Sequence, residues 1–308
     1  MAPPLLRGWG FSGGRTSVGR PWGGASILEK NPLRLVKTPP ATVHRFLPAF
    51  TLIEVLVVVA IILVGAALVF LGLSQTRKMA AKAAEVATAR ELIVGFEATA
   101  VERNNVYLPG YDRRVDEVVL RGGRVVAGPT ANRYPFRLAA AMNVAVEKIA
   151  HVGEIASQIN TSNDYLVSLY PALGINYYFV GGDVHQDGSV SHRGECVTSP
   201  MQGAASIVVF ASAGSLGDNG MISGYNTLTP PYLTTRMWTR ETWGPDANPK
   251  DYGHIHARHG GKAVAAFLDG SVRLLTVEDL RDMRLWSVKA ALEDNPKYTI
   301  KRATGGRL

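Results

Sequence analysis

Residues 52 to 73, LIEVLVVVAIILVGAALVFLGL, form an apolar run of 22 residues broken by a single acid, Glu54. At about 1.5 Å of rise per residue, such a run is roughly 33 Å long as a helix, close to the hydrocarbon thickness of a bilayer. A buried strand ends within about 4–8 residues, so length selects a helix. Lipid offers the backbone no hydrogen-bond partner, and a helix closes its own bonds, so the Val and Ile residues, Gly65 and Gly72 are tolerated. Arg77 and Lys78 end the run as interfacial charges. A cleaved signal peptide is the rival reading, since Lys37 and Arg45 precede the run. The run is longer than a typical signal core, however, and Gly72-Leu73-Ser74 is a loose match to a cleavage site.

The helical pattern continues past the lipid boundary. In MAAKAAEVATARELIVGFEATAVER, residues 79 to 103, Val86, Ile93 and Ala100 recur every seven residues. Ala89 and Phe96 do the same, with Leu92 beside them. This is one apolar stripe on a mixed helix. No proline lies between Phe50 and Tyr107. The pattern predicts one helix from about Phe50 to Arg103, its first half in lipid and its second half packed on a domain.

Charge orients the span. The chain carries a net +8, and residues 1–49 account for +6 of it, with seven Lys or Arg against Glu29 alone. This basic excess places the N-terminus in the cytoplasm and the bulk of the chain outside it, with Arg77, Lys78 and Lys82 a weaker opposing signal. The remaining residues carry only +2, which gives no basic face for nucleic acid. One cysteine, Cys196, provides no intrachain disulfide and reads as structural. The Gly, Pro and Arg content of residues 1–49 reads as disordered.

Beyond the helix, Pro109-Gly110 punctuates a loop, and residues 116–128 read as two short strands around Gly122-Gly123. A helix is expected from Pro135, with Leu138, Met142, Val146 and Ile149 at helical spacing, and a second helix or an irregular segment from Tyr165 towards Leu173. NYYFVGG (176–182) and ASIVVFASA (205–213) read as strands. Residues 214–258 read as a long loop held down by Trp238 and Trp243. Lys262–Leu268 and Ser271–Leu275 form a hairpin around a two-residue Asp269-Gly270 turn, with Val264, Ala266 and Leu268 on one face and Ala263, Ala265 and Phe267 on the other. VEDLRDMRLWS, residues 277 to 287, reads as a short helix. The fold class is therefore α+β: one long N-terminal helix on a C-terminal antiparallel sheet, with no βαβ alternation and no phosphate loop.

F50-T-L-I-E54-V-L, with 19 uncharged residues after Glu54 from Val55 to Leu73, resembles the N-terminal motif of type IV prepilins and type II secretion pseudopilins. The resemblance implies a cytoplasmic cut between Ala49 and Phe50 by a prepilin peptidase, then methylation of the new Phe50 amine. It implies that Glu54 pairs with an N-terminal amine during assembly. An unpaired charge at a helix centre in lipid costs roughly 2.5 kcal/mol or more, a cost that such pairing would relieve. This chain has Ala49 where the family usually has Gly, and its leader of 49 residues is long; either a real extension or an upstream start codon accounts for that length. His259, nine residues and then Asp269-Gly270 resemble the C-terminal H-X9-DG motif of a pilin-like family, and NYYFVGG and DMRLW are similar to it.

The resulting organisation is a leader (1–49), the prepilin motif and transmembrane helix (50–78), the exposed half of the helix (79–104) and an extracytoplasmic α+β domain (105–308) with its hairpin near 259–275. The expected role is a structural pilin-like or pseudopilin subunit of the bacterial inner membrane, not an enzyme. Its expected partners are prepilin peptidase, other pilin-like subunits and an inner-membrane assembly platform, with no nucleic acid. The alternatives are a membrane-anchored exported enzyme or metal-binding domain and a minor pilin for adhesion or DNA uptake. His254, His256 and His259, with Asp269, are the candidate zinc ligands. Asp246, Asp251 and Asp269 are candidate calcium oxygens without EF-hand spacing. No cofactor is expected, and His259 is expected to bond into the DG turn or adjoining backbone. Ser215 lacks the Gly-x-Ser-x-Gly elbow. Glu97 and Glu102 read as a solvated face, and Arg137 and Arg284 as surface or inter-subunit pairing groups.

Overall fold

The computed structural model describes residues 50–150, 162–192, 194–200, 206–218 and 220–301. The chain divides into two units after Val57. The described part of the first unit is Phe50–Val57, the opening of the long helix, and the elements that follow belong to the second.

Helix α1 (Leu52–Glu102) runs for 51 residues without interruption. It begins at Thr51, whose Oγ1 accepts the Glu54 N–H at 3.3 Å, while Glu54 Oε2 accepts the Thr51 N–H and Oγ1–H at 2.8 Å each. This reciprocal pattern is a capping box. The helix ends where Asn104 and Asn105 enter the left-handed region, which Asn tolerates better than most residues. Every described side chain from Leu52 to Leu73 is exposed. From Glu85 onward the helix buries one stripe: Glu85, Ala89, Leu92, Ile93, Phe96, Thr99 and Ala100.

That stripe packs on a four-stranded antiparallel sheet made of β1 (Leu173–Ile175), β2 (Val208–Ser212), β3 (Lys262–Phe267) and β4 (Val272–Thr276), in spatial order β4-β3-β2-β1. Leu173 faces Ser212, Ala211 faces Ala265, and Val272 faces Ala266. The alternation in β3 serves two cores. Val264 and Ala266 join the helix-side core with Phe210 and Phe96. Ala263, Ala265 and Phe267 join a second core with Trp238, Met283 and Trp286. The residues after β2 and after β4 thus cover the sheet face turned away from α1. Trp238 anchors its loop by donating to the Thr229 carbonyl at 2.7 Å and meeting Trp286 edge-on at 6.0 Å. Trp243 packs partly buried against the same core.

Several local expectations change. NYYFVGG is a turn, and the strand lies just upstream as β1. The buried Asn176 amide donates to the Val208 carbonyl at 2.9 Å, and the Asn176 carbonyl accepts the Val180 N–H at 3.0 Å, which closes a helical turn. Gly181 then turns at φ 71°, where a Cβ would collide with the Leu108 carbonyl oxygen. The helix predicted from Pro135 is two, Tyr134–Ala141 and Val146–Ala150, broken where Asn143 takes φ 51°. The following helix is Asp164–Leu169, capped by Asn163, and Leu173 belongs to β1. Residues 214–258 include a small hairpin, Ser215–Gly217 with Gly220–Ile222. VEDLRDMRLWS forms two 3-10 turns, Asp279–Arg281 and Met283–Leu285. Four residues, Leu268 to Ser271, connect β3 and β4, and three of them lie inside the Phe267–Ser271 pair: the Gly270 N–H bonds the Phe267 carbonyl and the Phe267 N–H bonds the Ser271 carbonyl. Gly270 has φ 76°, whereas Asp269 is not in the positive-φ region that a two-residue type I′ turn needs.

Phe96 is fully buried, stacked on Tyr107 at 5.0 Å and edge-on to Phe210 at 5.6 Å. Phe96→Ala is expected to destabilise the domain by about 3–5 kcal/mol. The exposed control Val94→Ala should change it by less than about 0.5 kcal/mol. Urea unfolding of the full chain in detergent, followed by the fluorescence of the buried Trp238 and Trp286, checks both.

Candidate functional site

Glu85 sits on the buried stripe of α1, four residues before Ala89 and seven before Leu92, where the pattern calls for an apolar residue. Its side chain is fully buried. A buried charge costs several kcal/mol unless it is paired and its remaining lone pairs are satisfied. Glu85 meets both conditions. Arg258 Nε donates to Oε2 at 2.8 Å and His259 Nε2 donates to the same oxygen at 3.0 Å. Ser212 Oγ donates to Oε1 and itself accepts the Val264 N–H at 2.7 Å.

Backbone pairing delivers these donors. The segment HIHAR runs back along the end of β2: the Gly214 N–H bonds the His254 carbonyl, the His256 N–H bonds the Ser212 carbonyl, and Ala213 bridges Ile255. Arg258 and His259 therefore arrive beside Ser212, under the helix. Arg258 also donates to the carbonyls of Ala213 and Ala172 at 2.7 Å each. One guanidinium thus joins α1, the end of β2 and the residue before β1. Burial by itself would push the Glu85 carboxyl up. The Arg258 charge and the hydrogen bonds from His259, Arg258 and Ser212 outweigh it and hold the value down at about 2.

The three histidines take separate places. His254 donates through Nδ1 to the Gly214 carbonyl at 3.0 Å and stacks on Tyr225 at 3.7 Å. His256 Nδ1 accepts from Arg258 at 3.3 Å, and burial together with the Arg258 charge lowers its value to about 4, so it is neutral. His259 faces Glu85. Asp269 lies in the β3–β4 turn, accepting the Ser271 N–H at 2.8 Å and pairing with Arg273 at 3.2 Å. The expected bond between the His259 side chain and the DG turn is thus corrected. β3 separates them by six residues, roughly 20 Å of strand. His259 occupies one end of β3 and Asp269-Gly270 the other. The zinc and calcium candidates do not converge: among the described residues no group of three or more His, Cys, Asp or Glu could hold a metal ion.

Ser212, His259 and Glu85 are the residue types of a hydrolytic triad, but both Ser212 and His259 donate to the carboxylate, and among the described residues no imidazole accepts a hydrogen bond from the hydroxyl. Phe50 is exposed, Glu54 is in the capping box, and Ala49 lies outside the described residues. Glu97 is half-buried and accepts the Tyr107 hydroxyl at 2.9 Å, and burial raises its value, so it is no solvated group; Glu102 is exposed. Arg137 is buried, not on the surface, and donates to the Pro109 and Asn132 carbonyls. Arg284 pairs with Asp282 and Asp294. Cys196 is buried, which pushes its thiol up to about 12.

Glu85 is the residue that the sequence reading missed. Its signal was present: an acid in register with Ala89, Leu92 and Phe96.

In general outline this architecture is pilin-like, a long N-terminal helix packed against an antiparallel sheet. Among the described residues one helix is long and apolar enough to cross a membrane, in keeping with a single-pass protein that carries a separate sheet domain. Comparison with protein-family models, curated proteins and solved structures returned no match.

Because Glu85 lies near 2 in the folded state against an ordinary 4.5, it stabilises the fold above about pH 4.5, and this contribution is lost as pH falls towards 2. The full effect is on the order of 3 kcal/mol. Asp112, Asp279 and Asp282 are also depressed, so the readout is a difference. Urea midpoints of wild type and Glu85→Gln should be well separated at pH 7, with a gap that narrows below pH 4.5 and closes only as the pH falls to about 2. Glu85→Ala, which leaves Arg258 buried without its carboxylate, should cost about 3–5 kcal/mol.

Proposed function

We propose that this chain is a structural subunit of a type IV pilus-like or type II secretion assembly, mechanical and not catalytic in its work. The observation that carries the reading is a single helix with two environments: an exposed apolar stretch from Leu52 to Leu73, and a stretch from Glu85 to Ala100 held on a sheet by apolar packing and a buried ion pair. The precursor is a bitopic inner-membrane protein with its sheet domain outside the cytoplasm. Prepilin peptidase cuts it between Ala49 and Phe50 and methylates the Phe50 amine. The apolar half then packs with the same segment of neighbouring subunits on an inner-membrane platform. The sheet domain faces outward and meets partners.

Glu54 has two roles in this reading. Within one chain it caps its own helix through Oε2. Oε1 takes no hydrogen bond among the described residues, which leaves it open to a neighbour's ammonium. The two roles separate on substitution, because Gln completes a capping box as well as Glu does and carries no charge. Glu54→Gln should leave membrane insertion and helix content unchanged and lower incorporation into filaments at least about tenfold, the equivalent of roughly 1.4 kcal/mol. Incorporation equal to wild type, in cells expressing both, would remove the assembly role and leave capping alone.

Processing is tested separately. Intact mass of the protein from native membranes should give a chain starting at Phe50 with one added methyl group. A chain that keeps residues ahead of Phe50 in the presence of its own peptidase would mean a plain anchor.

A further inference from the structure

We propose that the sheet domain carries a binding site for one acidic sugar unit, with the Arg133 guanidinium as its carboxylate receptor. This site is independent of Glu54 and of assembly. A cavity of about 220 Å³ opens between Tyr111, Arg113, Arg133, Tyr177, Asp183 and Tyr225, with Asn226 and Thr227 at its side.

Arg133 is the unusual member. It is only 8% exposed. Its polar contacts are neutral: Nη1 donates to Ser168 Oγ at 2.8 Å, and the guanidinium lies over the Tyr165 ring at 4.6 Å. Its Nε is buried without a hydrogen-bond partner. No carboxylate pairs with it among the described residues. Asp183 is the acid in the cavity wall, and Arg113 holds it at 2.5 Å. The wall therefore carries a formal charge of +1, and the surplus belongs to Arg133. A nearly buried guanidinium without a counter-charge is unfavourable, and a ligand carboxylate in the cavity that Arg133 lines offsets this through charge-assisted hydrogen bonds.

Size and lining select the ligand. Pockets for drug-sized molecules span about 300–1,000 Å³, so this cavity admits about one ring. Tyr111, Tyr177 and Tyr225 each have one ring face already covered, by Arg113, Tyr178 and His254 respectively, and bring aromatic surface with polar tips to the lining, which suits the ring and hydroxyls of a pyranose. Leu169 is the aliphatic residue of an otherwise polar and aromatic lining, which offers little to the side chain of an apolar peptide terminus. A uronic acid unit of an acidic polysaccharide satisfies the surplus charge, the volume and the hydroxyl-rich wall together.

The experiment is calorimetric titration of the full chain in detergent with D-glucuronate, D-glucose, N-acetylalanine and inorganic phosphate. Glucuronate should bind with a Kd of about 1–10 mM and at least tenfold more tightly than the other three. Arg133→Gln should remove this preference. Should that variant fail to fold, Thr227→Trp, which fills the cavity from its rim, should abolish binding while the sheet domain keeps its unfolding midpoint. Glucuronate and glucose binding alike, or glucuronate binding to Thr227→Trp as to wild type, overturns the site. Equal binding of N-acetylalanine or phosphate overturns the sugar assignment, and so does the absence of saturable binding in that range.

Discussion

The contact between Glu85 and Arg258 controls how the long helix meets its domain. The apolar stripe of α1 repeats every seven residues, and apolar packing alone discriminates poorly between registers one repeat apart. A single carboxylate in that stripe removes the ambiguity. Only one placement brings Glu85 to Arg258, His259 and Ser212 together, and any other leaves a buried acid unpaired on the helix and a buried guanidinium unpaired on the sheet. Buried ion pairs add little net stability over an apolar core of the same shape. Their best-attested use is to specify register, and this is the use that the geometry of Glu85 serves.

The sheet is built to be covered on both faces. β3 reads KAVAAF, and its small alanines let two cores approach closely: α1 on one side, Trp238 and Trp286 on the other. The connections after β2 and β4 supply the second layer, so the loops are part of the core. His254 and His256 belong to this structural work. They hold the approach of residues 254–258 against the end of β2, and that approach is what carries Arg258 and His259 to the helix.

Two carboxylates on α1 are each the exception in their surroundings. Glu54 stands in an exposed apolar run with one oxygen engaged by Thr51 and the other open. Glu85 stands in a buried stripe with both oxygens taken from the sheet side. The first is available to another chain, and the second is committed within its own. This difference in saturation separates a carboxylate that caps its own helix from one that joins the helix to the sheet.

The sequence by itself determined the elements governed by local periodicity. The long helix, expected from about Phe50 to Arg103, spans Leu52–Glu102, because a seven-residue stripe and a proline-free stretch are properties of neighbouring residues. The hairpin of β3 and β4 and the split of its side chains between two faces follow from strand alternation in the same way. The Asn176 turn was not legible, since its cap is the Val208 carbonyl, 32 residues away. Nor was the role of the histidines. Arg258 and His259 meet Glu85 across 173 and 174 residues, and only backbone pairing at the end of β2 brings them there. Tertiary structure decided whether each charged residue faces water, a cavity or a buried partner, because the energy of a charge depends on what surrounds it in space and not on its neighbours in the chain.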